Sequence, residues 1–136
     1  MVILIHDNLK VSDLQERFSK CFQSLKIEFY GKSHNSQEKS AEKYIITPAK
    51  RIGEIRRNHE EGDLEIESWN TADQVEKDFK EKFGLNVQVL RRNNGQWVQT
   101  SKTDKYTLFQ QAEIVDHGDN SVFPRFNDQW SGYDYL

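Results

Sequence analysis

A chain of 136 residues, 35% hydrophobic and 30% charged, holds enough apolar material for one buried core under a wet surface, so it is read as one domain. A net charge of −3 excludes a global electrostatic pull toward nucleic acid or an anionic membrane, and one cysteine, Cys21, excludes an internal disulfide and a cysteine-rich zinc site. The apolar start Val2 to Ile5 breaks at His6-Asp7, too short for a signal peptide, and no later run has the length of a membrane span; the expected location is the cytoplasm.

Val2 to His6 is nearly all apolar, the pattern of a central strand buried on both faces. Val11, Leu14, Phe18 and Phe22 then fall on one stripe, which predicts a helix from about Val11 to Gln23. Cys21 lies beside that stripe, next to Phe22, and core packing is expected of it rather than nucleophilic work. Alternating Leu25, Ile27 and Phe29 form a strand ending at Gly31. Lys32 to Glu42 has no periodicity and reads as a loop. Tyr44-Ile45-Ile46 is a short strand. Thr47-Pro48 then reads as the cap and first residue of a short helix to about Asn58, burying Ile52 and Ile55 and exposing Lys50, Arg51, Arg56 and Arg57.

After the turn His59 to Asp63, Leu64 to Ser68 alternates as a strand. Ala72, Val75, Phe79 and Phe83 form a second helical stripe, with Glu76, Lys77, Asp78, Lys80 and Glu81 facing water. Thr71 with Gln74 makes a capping box, and Gly84 suits a left-handed C-terminal cap. Leu85, Val87 and Val89 alternate, and Asn94-Gly95 signals a hairpin to a strand over Gln96 to Thr100. Tyr106 to Ile114 is either one more short helix or an extended segment. Asp116 to Leu136 carries Phe123, Phe126, Trp130, Tyr133 and Tyr135 without periodicity, which suggests a tail over the body or a segment that folds on a partner.

The first helical stripe recurs 61 residues later as the second, Ile3 and Ile5 recur as Leu64 and Ile66, and Leu25, Ile27 and Phe29 recur at an offset of 60. Two strand–helix–strand halves with right-handed crossovers predict an α+β, ferredoxin-like two-layer sandwich. The first and third strands would sit centrally, with the Gln96 to Thr100 strand added at the edge beside its hairpin partner. The expected division is one domain over residues 1–115, with a loop and helix inserted at 31–62, followed by an aromatic, acidic extension over 116–136.

The run Ile52-Gly-Glu-Ile-Arg56, then Gly84-Leu-Asn-Val-Gln-Val89, Arg91, Trp97, Thr100, Thr103-Asp104, Thr107-Leu108 and Gln111, resembles a family of small uncharacterised proteins common in Bacteroidetes that carry similar GLxVQVxR and TDxxTLxxQ runs. The likeness covers residues 50 to 112, and its motifs look more like scaffold than catalytic signatures. It implies an orphan family and transfers no active site.

His6, His34, His59 and His117 fall in four different segments without metal-ligand spacing, so no metal site is expected. There is no P-loop, dinucleotide fingerprint or nucleophile elbow, and the carboxylates do not separate into an acid and a base, so neither a cofactor nor catalysis is expected. If Leu25, Ile27, Phe29, Leu64, Ile66, Leu85, Val87 and Val89 face the helices, the other face carries Lys26, Glu28, Tyr30, Glu65, Glu67, Asn86, Gln88 and Leu90. Glutamates there stand where an RNA-binding sheet of this kind needs aromatics and cations. Val2 and Leu4 belong to that face too, and they need a cover from the 44–58 region, the tail or another protein. The leading expectation is a non-catalytic protein-interaction module with Trp97, Trp130, Tyr133 and Tyr135 as contacts, its partner another protein or a second copy of the chain and not a membrane. The alternative is nucleic-acid binding through a basic edge of Arg56, Arg57, Arg91 and Arg92.

Overall fold

Both phenylalanine-bearing stripes fold as expected, because each has an apolar face to bury and marked ends. In the computed structural model, which describes residues 1–31 and 42–117, the order is β1 (Val2–Ile5), α1 (Val11–Cys21), β2 (Leu25–Tyr30), β3 (Gly62–Glu65), α2 (Ala72–Phe83), β4 (Asn86–Asn93), β5 (Gln96–Gln99) and α3 (Leu108–His117), with short 3₁₀ turns at Glu42–Tyr44 and Ile52–Glu54. Thr71 Oγ1 accepts from the Gln74 amide while Gln74 Oε1 accepts from the Thr71 amide, closing the box at the start of α2. Gly84 ends that helix at φ 67°, where a side chain would be strained. The same box recurs between Thr107 and Gln110 and makes the segment left open above a helix, α3.

The architecture is α+β, with an antiparallel two-stranded sheet, β1–β3, and an antiparallel three-stranded sheet, β2–β4–β5. β1 and β3 pair as expected, and β5 lies outside β4 as the hairpin's second strand. The ferredoxin-like order is corrected: β2 pairs with β4 along its whole length, Leu25 opposite Arg91 to Tyr30 opposite Asn86, instead of the two lying at opposite edges of one sheet. The physical reason is a local two-fold relation in which each strand of the first half pairs with its counterpart in the second. Ile3 stands opposite Leu64, and Glu28 stands opposite Gln88.

The correspondence runs past the second strand of each half. Ile46 donates to the Phe29 carbonyl at 2.8 Å, and Thr100 donates to the Val89 carbonyl at 3.1 Å. Val11 donates to Lys50 O and Ile52 to Leu9 O, matched by Ala72 to Tyr106 O and Leu108 to Asn70 O. Gly53 to Asp7 O repeats as Phe109 to Ser68 O, both 3.0 Å. The segment around Ile45 therefore occupies in the first half the place that β5 occupies in the second.

One core joins the halves. It takes Leu14 and Phe18 from α1, Val75, Phe79 and Phe83 from α2, and the inward residues of both sheets, with Phe29 meeting Phe79 edge-on at 5.8 Å between ring centres. α3 adds Leu108 and buries Ile114.

Other expectations need correction. The helix over 47–58 shrinks to the turn Ile52–Glu54, because Gly53 brings the backbone so near Asp7 that a Cβ there would lie 2.8 Å from the Asp7 Cβ. Arg56, expected to be exposed, is buried, and so is Glu76. Cys21 is exposed, since α1 ends there and the thiol points off the stripe. β1 is buried on one face only, leaving Val2 52% and Leu4 51% exposed. The face expected to be open is closed at Tyr30, Gln88 and Leu90.

Candidate functional site

The polar groups drawn inward mark where the chain spends its chemistry. Arg56 donates from Nε and Nη2 to Asp7 Oδ1, at 3.1 and 2.8 Å, and from Nη1 to the Phe83 carbonyl at 3.0 Å. It ties the loop after β1 to the C-terminal end of α2, where a cation also suits the helix dipole. His59 Nδ1 lies 2.7 Å from Asp7 Oδ2. The Arg56 hydrogen bond, helped by His59, holds the Asp7 carboxyl below its usual range. This trio is a fastener, with every guanidinium nitrogen engaged by the fold.

A second inward group sits where β5 stops short. Glu76 Oε2 accepts from the Val89 amide and from Gln88 Nε2, both at 2.9 Å. Burial lifts this carboxyl to about 8; the Val89 hydrogen bond opposes that, and the charges of Asp104 and Asp73 add to it. A buried carboxyl with a raised pKa is the kind of group that general acids are made from, but Glu76 lines neither of the clefts described below. Its position was hidden in the sequence by the charged residues around it. The one hint was Gln88, a polar residue between Val87 and Val89 in the strand.

At the surface, Trp97 on β5 is 39% exposed, with Lys26 Nζ 4.8 Å and Arg92 Cζ 5.3 Å from its ring. Trp69, which the sequence reading did not single out, is 68% exposed, and Phe109 is half-exposed. Trp130, Tyr133 and Tyr135 lie outside the described residues, as does His34. Arg56 and Arg91 are buried, while Arg57 and Arg92 are exposed. Arg57 lines a cleft beside Asn86 at one end of β4, and Arg92 lies near the other end, roughly 20 Å away at strand spacing. The expected basic edge is thus not brought together.

Two open clefts are formed by described residues. One, of about 680 Å³, is lined by Gly31, Glu54, Arg56, Arg57, Gly84 and Asn86; the other, of about 380 Å³, has an uncharged lining that includes Phe22, Leu108, Phe109 and Ala112. Among the described residues, no three His, Cys, Asp or Glu side chains gather as a metal-binding group, and no helix is long and apolar enough to cross a membrane. No protein-family model, no curated protein and no solved structure matches this chain.

Proposed function

We propose that the protein is a non-catalytic protein-interaction module of the cytoplasm, built from two copies of one strand–helix–strand–strand unit. The observation that carries the binding reading is the outer face of the β1–β3 ribbon. Val2 and Leu4 stand there half-exposed on a sheet of two strands, an apolar surface that a partner strand or side-chain cluster can cover. Trp97, with two cations near its ring, is a second contact of the type that dominates interfaces. Support for the duplication comes from the matching hydrogen bonds, whose partners recur in the same order in both halves, and from the self-opposed registers.

Tagged wild type and the Leu4→Ser and Trp97→Ala variants, each presented to host lysate, test this. Both side chains are substantially exposed, so each variant is expected to keep its stability within about 0.5 kcal/mol while losing a protein that wild type retains. A fall in melting temperature with every partner kept would assign these side chains to the monomer's own packing and end the proposal.

A further inference from the structure

The smaller cleft is the counterpart, in the second half, of the place Arg56 fills in the first. Offsets that superpose Gly53 on Phe109 and Asp7 on Ser68 bring Arg56 onto Ala112, and Phe83, whose carbonyl Arg56 engages, onto Phe22. The second half has thus exchanged a guanidinium for a methyl, its carboxylate for a hydroxyl and a glycine for a phenylalanine. Where the first half has a charged cleft beside the ion-paired Arg56, the second has an uncharged groove of about 380 Å³ between the end of α1 and the start of α3, lined by Phe22, Leu25, Leu108, Phe109 and Ala112 with Cys21 at its edge. A lining without charge has lost the means to hold an arginine and favours an apolar or aromatic occupant. At the small end of the range for binding pockets, it takes a few side chains and not a folded domain.

We infer that this groove is a docking site for the chain's own C-terminal segment, through Phe123 and Phe126. The described residues end at His117, the last residue of α3, and 19 residues follow. Phe109 lies eight residues back along α3, about 12 Å at helical rise. Phe123 is six residues past His117, and six extended residues span up to about 20 Å, enough to double back over the groove. Phe126 follows three residues later. A tethered segment also acts at an effective concentration near millimolar, so weak apolar contacts suffice to keep it docked. Any outside partner presenting an aromatic motif to this groove must first displace it.

Cys21, the chain's single cysteine, is exposed at the rim and serves as the reporter. The rate at which a bulky aromatic disulfide reagent modifies it is measured in the full chain, in a chain ending at His117, and in the full-length Phe123→Ser/Phe126→Ser variant. A cooperative melt is required of each. The full chain is expected to react about tenfold more slowly than the other two, as a groove closed about nine-tenths of the time requires. A synthetic peptide of residues 118–136 is expected to restore protection to the shortened chain, saturably. Equal rates in the full chain and the double variant overturn the inference, and that comparison stands even where the shortened chain does not fold. Protection that rises with protein concentration also overturns it, assigning the groove to a second copy.

Discussion

Arg56 and Ala112 occupy corresponding positions of two halves with the same order of strands, helix and turns, yet one puts an ion-paired guanidinium into the wall of a charged cleft and the other leaves an uncharged groove. Around Arg56 the fold spends a guanidinium to join Asp7 to the end of α2. Around Ala112 the corresponding joint is missing, and the half is held by α3, whose extra turns bury Leu108 and Ile114. A similar exchange separates Gln15 from Glu76. Gln15 donates its amide to the Ile27 carbonyl at 2.9 Å, whereas Glu76 at the matching place accepts from the Val89 amide. Where backbone geometry is shared, the side chains have divided the work: the first half is fastened by a cation, and the second carries a carboxyl that burial keeps from ionising easily.

The bluntest way to challenge this equivalence is to cut the same ring from both halves. Phe18→Ala and Phe79→Ala remove fully buried phenylalanines at matching positions, and each is expected to cost about 3–5 kcal/mol in urea unfolding. Costs differing by more than about 2 kcal/mol would show that the halves are alike in shape and unlike in load.

Glu76 gives the next largest effect. Its folded-state pKa of about 8 stands above the ordinary 4.5, so between those values the folded protein holds a proton that the unfolded chain has released. Stability is therefore greatest below about pH 4.5 as far as this group is concerned, and it falls as pH rises to about 8, by on the order of 4 kcal/mol. Thermal melts of wild type and Glu76→Gln across that window check it: the wild type loses stability with rising pH, and the variant loses that slope. Gln15→Glu would sharpen the comparison by placing the same carboxyl in the other half.

Smaller again is the joint itself. Arg56→Met leaves the Phe83 carbonyl without its charged donor and is expected to cost about 2–3 kcal/mol, while Ala112→Met at the matching place is expected to change stability by less than about 1 kcal/mol. Equal losses in denaturant titrations would mean that the second site is as tightly filled as the first.

Much of this was legible in the chain, for a physical reason. The stripe Ala72, Val75, Phe79 and Phe83, the Thr71–Gln74 box and the Asn94-Gly95 hairpin are local patterns, each settled within a few residues of itself. The pairing of β2 with β4 was not legible, because it joins residues some 60 positions apart and nothing in either strand names its partner. Arg56 looked like a surface cation because its carboxylate lies 49 residues back, and Glu76 looked solvated because its acceptor role is created by the end of β5. The helix over 47–58 failed on one residue, Gly53, whose absent side chain lets Asp7 approach. In the candidate site, the exposure of Trp97 followed from its place on an edge hairpin. The groove at Ala112 could be seen only by laying one half over the other.

The self-opposed registers at Ile3–Leu64 and Glu28–Gln88 carry one more implication. When a strand's neighbour is its own twin, the surface it offers is the surface it recognises. Either half, released from the other as a separate polypeptide, would thus present both sides of its own seam.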